Sequence, residues 1–332
     1  MFMPNLKYTM NKKIFITRNI STIAKDTLTQ RGFDVTVYPK EGVPSQKKII
    51  SYLKSQAYDG MISLLTDSID KTLFDACPTL KIVANYATGY NNINLEEAKK
   101  RGIMITNTPG VSGSSVAEHA VALTLALANN IAVADRFVRD GKYKGWMPTG
   151  FAGSDLYGKT IGLVGVGSIG SKVASIFRNG FGAKIVYHDV NPNQKMETEL
   201  QAVRCNTLDQ LLIQADVVSL HVPLLPTTHH LIDATKLALM KSSAFLINTS
   251  RGPVVDEAAL VRALHVGTIA GAGLDVFEFE PKMSKGLAKL TNVVLTPHIA
   301  SARTETRNEM ARIAAQGIID FFDGKRPTNA VI

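Results

Sequence analysis

The chain has 332 residues, 45% of them hydrophobic and 20% charged, the balance of a soluble globular protein whose length suits two domains. Its formal net charge of +9 comes from scattered lysines and arginines, without a dense basic block or an aromatic-interleaved stripe, so the excess reads as a solvated surface that attracts small anions and not as a nucleic-acid or membrane footprint. The lone cysteines, Cys77 and Cys205, exclude a disulfide framework and a zinc site and suit reduced, cytoplasmic thiols; no apolar stretch reaches the roughly eighteen residues of a membrane span.

The first 25 residues carry five lysines and arginines and no acid, a faint likeness to a transit peptide. Residues 1–10 are nevertheless expected to be a loose extension, because Ile14 to Thr17 reads as the first strand. A helix is expected from Thr22 to Arg31, ended by Gly32, then a strand from Phe33 to Tyr38. Ser45 to Gln56 reads as a helix, Gly60 to Leu65 as a buried strand, and Asp70 to Ala76 as a short helix before Pro78. Leu80 to Ala84, Leu95 to Arg101 and Ile103 to Thr106 continue the alternation of strand and helix. That alternation predicts βαβ units and a parallel sheet.

Asn107-Thr108-Pro109-Gly110 breaks the pattern and marks a domain crossing. Ser115-x-x-Glu118 reads as a capping box opening a helix with Val116, Ala120, Leu123 and Leu127 on one face. His119 on that helix reads as structural. Trp146, in the loop from Gly141 to Pro148, suits either an exposed binding residue or packing.

Ile161 to Val164 then breaks into Gly165-x-Gly167-x-x-Gly170. A helical pattern follows with Val173, Ala174 and Phe177 on one face, and a strand from Lys184 to His188 ends in Asp189. Strand, glycine turn, helix, strand and acid form the context that gives a GxGxxG motif its meaning. Gly165 permits the turn, Gly167 lets the backbone approach a pyrophosphate, and Gly170 allows close helix–strand packing. The helix N-terminus offers free N–H groups to phosphates. Asp189, nineteen residues after Gly170, has the spacing of an acid that binds ribose hydroxyls.

Further strands are expected at Asp216 to Leu220, Ala244 to Ile247, Ala270 to Leu274 and Val293 to Leu295, with helices at Leu208 to Gln214 and Glu257 to His265. A final helix runs from Thr304 to Phe322. Asp189, Pro223, Arg251, Asp275 and His298 all follow strands, where open α/β sheets bind ligands. Arg251 is a planar cationic fork suited to a carboxylate and its neighbouring carbonyl. His298 can exchange a proton near neutral pH, and Glu280 can orient it and favour its charged form. Each is commonplace alone; together, downstream of a dinucleotide motif, they describe a hydride-transfer site.

The chain resembles the D-isomer-specific 2-hydroxyacid dehydrogenase family. The matching pieces are Gly165 to Gly170, Asn248-Thr249-Ser250-Arg251-Gly252, Gly273 to Pro281, and Pro297-His298-Ile299-Ala300-Ser301. The loop from Asn85 to Ile93 adds to them. Val83 to Tyr90 and Asn107-Thr108-Pro109 are most similar to the glyoxylate/hydroxypyruvate reductase branch.

The resemblance implies an α/β fold of two doubly wound, Rossmann-like domains with parallel sheets. The NAD-binding domain (107–297) is expected as an insertion in a substrate-binding, catalytic domain built from 1–106 and 298–332. It implies that Arg251 binds the 2-oxo acid, that His298 donates the proton, and that Glu280 orients His298. Ala87, Thr88 and Gly89 would hold the substrate carboxylate. Gly165, Gly167, Ser168, Ile169, Gly170 and Asp189 would hold the dinucleotide, with Pro223, Thr228, Thr249, Asp275 and Ala300 lining it. Closure between domains would exclude water. No metal, nucleic acid or membrane is expected, and a homodimer is. Asp189 followed by Val190-Asn191-Pro192 favours NAD(H) over NADP(H), because a carboxylate repels a 2′-phosphate. D-lactate-type, 3-phosphoglycerate and phosphite dehydrogenases are alternatives within the family. A non-catalytic NAD-sensing regulator is the alternative outside enzymes.

Overall fold

The computed structural model describes residues 12–332. The extension expected at residues 1–10 lies outside the described residues. In chain order the elements are β1 (Lys13–Ile16), α1 (Thr22–Gln30), β2 (Asp34–Val37), α2 (Gln46–Gln56), β3 (Gly60–Ser63), α3 (Lys71–Ala76), β4 (Ile82–Asn85), α4 (Leu95–Lys100) and β5 (Met104–Thr106). Next come α5 (Gly113–Ala128), α6 (Ile131–Arg139), β6 (Thr160–Val164), α7 (Ser168–Phe181), β7 (Lys184–His188), α8 (Gln194–Leu200), β8 (Val203–Arg204), α9 (Leu208–Gln214) and β9 (Val217–Leu220). The chain closes with α10 (Ala234–Leu239), β10 (Phe245–Asn248), α11 (Glu257–Val266), β11 (Gly271–Leu274), β12 (Val293–Leu295) and α12 (Thr304–Phe322).

Two compact units result. One holds the described residues up to Ser112 together with Ala302–Ile332; the other is Gly113–Ser301. Both crossings fall a few residues later than the sequence boundaries of 106/107 and 297/298. Hydrogen bonding explains both shifts. Asn107 N–H donates to Asn329 O and Thr108 N–H to Ala87 O, which keeps this stretch with the first unit. Ile299 and Ala300 donate their N–H groups to the Asp275 carboxylate, which keeps 298–301 with the second.

The first unit is a five-stranded parallel sheet, order β2-β1-β3-β4-β5. Period-two alternation along its strands sends side chains to two faces. Phe15, Met61 and Val83 pack with Ile49 and Leu53 of α2 and Leu73 of α3. Ile14, Ile16, Ile62 and Ile82 pack with Leu28 of α1 and Met310, Ala314 and Ile318 of α12. Helices therefore cover both faces, which is why the strands read as continuous apolar runs.

The second unit is a seven-stranded parallel sheet, order β12-β11-β10-β9-β6-β7-β8. Its strand order reverses at β6, which lies between β7 and β9. That is a topological switch point, the place where such sheets leave a crevice at their carboxyl ends. One face packs on α5 and α7 through Ala120, Leu123, Val173 and Phe177. The other packs on α9, α10 and α11 through Leu211, Leu237 and Leu260.

Four elements had no sequence expectation: α6, α8, β8 and α10. Each buries little or is very short. α6 buries no residue, α8 buries only Met196, α10 only Leu237, and β8 is two residues long. The capping box expected at Ser115 is also corrected. α5 starts at Gly113, so Ser115 and Glu118 lie inside the helix. Among the described residues no single helix is long and apolar enough to cross a membrane.

Candidate active site

The glycine turn joins β6 to α7 at the switch point. Gly165 has φ +88°, a left-handed conformation, and a Cβ there would sit 2.9 Å from the His221 backbone. A Cβ on Gly170 would lie 2.2 Å from the Gly165 carbonyl oxygen, so only glycine lets α7 fold back this closely. A Cβ on Gly167 would meet nothing within 4 Å, because this side of the turn is open. Gly167 is the N-cap of the fourteen-residue α7 and makes no side-chain capping bond. The first-turn N–H groups, from Ser168 to Gly170, are thus left to an outside acceptor.

Asp189 follows β7 beside this turn. Its Oδ2 accepts the Val166 N–H at 2.7 Å and its Oδ1 accepts the Asn191 N–H at 3.1 Å. The carboxylate is therefore oriented by the backbone on both sides of the turn. Two neighbours were not singled out from the sequence. Arg204 on β8 donates to the carbonyls of Asp189 and Val190 at 3.0 and 3.2 Å. His221, after β9, backs the glycine turn and pairs with Ser219 Oγ at 2.9 Å. Burial pushes His221 down to about 4, which keeps it neutral under the turn. Neither carries a local sequence signal, since Arg204 lies on a two-residue strand and His221 opens a loop.

Pro223 and Thr228 lie in one loop beyond β9. Thr228 Oγ1 donates to Pro223 O at 2.6 Å and accepts the Leu225 N–H at 2.8 Å, so it shapes that loop. Thr249 follows β10, and its buried hydroxyl has no partner within the protein. An orphaned buried hydroxyl is costly unless a ligand satisfies it. With the open face at Gly167, this is the feature of the unit that best fits a bound dinucleotide.

Arg251, Glu280 and His298 come together on the same unit. Asn248 shapes the arginine's turn, accepting from Ser250 N and Oγ and donating to Arg251 O. Gly252 brings this turn onto the loop after β11. A Cβ there would lie 1.9 Å from Phe277 O, so no other residue permits the approach. Arg251 is largely desolvated, and burial lowers its pKa while the Glu280 charge opposes that shift. Its Nη1 donates to Ser250 O at 2.6 Å, leaving donors of the fork for a ligand.

His298 Nδ1 and Glu280 Oε2 are 2.9 Å apart. The second Glu280 oxygen accepts the Phe277 N–H at 3.0 Å. Burial raises the Glu280 pKa, but its bond to His298, with Phe277 and Arg251, outweighs burial and the net shift is downward. An ionised Glu280 thus holds Nδ1–H, and the free imidazole nitrogen is Nε2. His298 sits at φ +54°, an unusual conformation for a non-glycine residue. Asp275 and Thr296 hold it there through their carbonyls, at 2.8 and 3.0 Å from the His298 amide nitrogen.

Asp275, expected at the nicotinamide end, follows β11. It is 0% exposed, and its carboxylate already accepts from Thr296 Oγ1, Ile299 N and Ala300 N. Ala300, also expected beside the cofactor, is buried and tied to it.

The Ala87–Gly89 loop belongs to the first unit, at the carboxyl end of β4. Ala87 O accepts from Thr108 N, Thr88 O from Asn107 Nδ2, and Gly89 O from Asn85 Nδ2. Thr88 Oγ1 also donates to Thr108 O at 3.1 Å. With three successive carbonyls engaged internally, the amides of Thr88 and Gly89 are the loop's remaining polar handles.

Comparison with known proteins identifies the family. A family profile described as "D-isomer specific 2-hydroxyacid dehydrogenase, NAD binding domain" matches residues 121–300. A glyoxylate reductase of Korarchaeum cryptofilum is 47% identical over 324 residues, covering 97% of this chain and 96% of the relative. A solved Thermus thermophilus protein superposes with TM-score 0.89 at 39% identity, covering 96% of this chain and all of its own. An NADPH-dependent glyoxylate/hydroxypyruvate reductase from Sinorhizobium meliloti superposes with TM-score 0.84 at 32% identity, covering 97% and 98% of the two chains. Two parallel sheets, a glycine turn at a switch point and full-length similarity lead to one conclusion: the chain belongs to the D-isomer specific 2-hydroxyacid dehydrogenase family.

Proposed function

We propose that the protein reduces a small 2-oxo acid with NADH, glyoxylate to glycolate or hydroxypyruvate to its D-2-hydroxy acid. The observation that carries this reading is the His298–Glu280 pair beside Arg251, on the unit that bears the glycine turn. The glyoxylate reductase relatives support the substrate class.

Ser168, Ile169 and Gly170 would hold the pyrophosphate at the α7 N-terminus, Asp189 the ribose diol, and Thr249 the nearby dinucleotide. Pro223, Thr228 and Ala300 would border it. When bound, the reduced nicotinamide supplies hydride to the substrate's carbonyl carbon. Arg251 grips the substrate carboxylate and its neighbouring carbonyl through its planar fork. On the first unit, the Thr88 and Gly89 amides, with Ala87, would hold a substrate carboxylate. His298 begins as an imidazolium and gives its Nε2 proton to the developing alkoxide. Glu280 keeps Nδ1 protonated, so the ring is left neutral and correctly oriented.

Asp189 favours NADH over NADPH, since its carboxylate repels a 2′-phosphate. Arg204 next to the Asp189 turn and the NADPH-dependent Sinorhizobium meliloti neighbour favour some NADPH use. A homodimer is supported by exposed apolar side chains on α6 and in the segment after it: Trp146 is 83% exposed and Tyr157 80%, and Ile131 and Val138 are exposed too. Light scattering tests the subunit number. The function itself is tested by following NADH absorbance with a panel of 2-oxo acids, then repeating with NADPH. Turnover of glyoxylate or hydroxypyruvate with a higher kcat/KM for NADH is expected. Tight NADH binding without turnover of any 2-oxo acid would indicate a sensor instead.

A further inference from the structure

His119 sits in the middle of α5, buried, and the motifs above give it no role. Its Nε2 lies 3.0 Å from Thr296 Oγ1 and 3.4 Å from Asp275 Oδ1. Thr296 Oγ1 in turn lies 2.7 Å from Asp275 Oδ1. A hydroxyl has one hydrogen, and a carboxylate oxygen can only accept. The Thr296 hydrogen therefore goes to Asp275, and Thr296 receives its own bond from His119. This orders the chain of donors from His119 Nε2–H to Thr296 to Asp275.

Asp275 is where this chain meets the catalytic loop. Its carboxylate accepts Ile299 N–H and Ala300 N–H at 2.8 Å each, and its carbonyl accepts His298 N–H at 2.8 Å. Three successive backbone amides, 298 to 300, hang from one residue. The left-handed backbone of His298 is unfavourable alone and persists when its surroundings over-determine it. Burial raises the Asp275 pKa, but the bonds from His119, Thr296, Ile299 and Ala300 outweigh it and the net shift is downward.

We infer that His119 is a positioning residue for the proton donor: through Thr296 and Asp275 it braces the 298–300 turn that aims the His298 imidazole. The inference rests on the reading of His298 as the acid. A misplacement of about 1 Å in such a group can cost roughly a hundredfold in rate.

The experiment compares wild type, His119→Leu and His119→Gln in the full-length protein. Glutamine can place an N–H where the imidazole Nε2 stands; leucine cannot. Glyoxylate turnover gives kcat and KM, and amide hydrogen exchange reads Ile299 and Ala300 directly. Leucine is expected to lower kcat by about ten- to a hundredfold with little change in KM for glyoxylate. It should speed exchange at 299 and 300 while leaving β6 and α7 protected, and glutamine should restore both readouts. Unchanged exchange at 299–300, or an unchanged kcat, overturns the inference. So does faster exchange across the whole unit, which would mean a general packing role. If wild type turns over no 2-oxo acid but leucine still frees 299–300 and glutamine re-protects them, the proposed function fails while the brace stands.

Discussion

The two units solve the same folding problem and present different chemistry at their strand ends. Each is a parallel sheet covered by helices on both faces, and each leaves its loops free at the carboxyl edge. In the first unit the Ala87–Gly89 loop offers backbone amides, with its carbonyls turned into internal bonds. In the second, the corresponding edge carries Asp189, Arg251, Glu280 and His298. Fold and function are thus separable: the sheet supplies an edge, and the residues after each strand decide what it does. Proton transfer, the role proposed for the second unit, needs ionisable side chains in partly desolvated positions. A carboxylate contact of the kind proposed for the Ala87–Gly89 loop can use main chain alone.

That contrast can be broken most directly at His298. His298→Ala should lower kcat by roughly 10²- to 10⁴-fold, the usual contribution of a general acid, with NADH affinity by fluorescence titration near wild type. A normal kcat would move proton donation elsewhere. Glu280 sharpens the same point through pH. Its folded pKa is depressed, so its ionised form and the stability it contributes are fully present above the ordinary glutamate value of about 4.3. Both are lost as pH falls through the lowered folded value. The Tm difference between wild type and Glu280→Gln should therefore shrink in acid and hold near neutrality.

Arg251→Lys keeps the charge and removes the planar fork. It should cost about 1.5–3 kcal/mol of transition-state binding, or roughly ten- to 150-fold in kcat/KM for the 2-oxo acid. A lysine variant equal to wild type would mean that charge alone suffices. Gly170→Ala tests the close approach of α7 to the glycine turn. Crowding against Gly165 O should destabilise the second unit by about 1–3 kcal/mol and weaken NADH binding, readable by urea unfolding and titration. The smallest effect is expected in the backbone-based site. Thr88→Val removes the hydroxyl's bonds to Thr108 O and Ser112 Oγ and should cost about 0.5–1.5 kcal/mol, read as a rise in KM for the acid with little change in kcat. A large fall in kcat there would erase the distinction between the two units.

Most strands and long helices were legible because buried parallel strands are continuous apolar runs and amphipathic helices repeat every three to four residues. β12 and α12 match their expected bounds. Elements that bury little were not legible. α6 faces solvent with apolar residues, and α8 and α10 each bury a single side chain. His119 was read as structural from its place on an apolar helix; its link to Asp275 is not visible along the chain, because Thr296 and Asp275 are distant in sequence.

The sequence by itself determined the two-sheet α/β class, the glycine turn with its acid, and the identities of Arg251, Glu280 and His298. Those depend on local periodicity, on backbone freedom at glycine and on side-chain chemistry, all of which are written residue by residue. Tertiary structure alone decided which atoms meet. It put Glu280 on His298 Nδ1 and so left Nε2 as the free nitrogen. It turned Asp275 inward as the anchor of the 298–300 turn, set Arg204 on the carbonyls of Asp189 and Val190, and set His221 against the glycine turn. Hydrogen bonds between strand-end loops join residues far apart in the chain, and no local pattern encodes their partners.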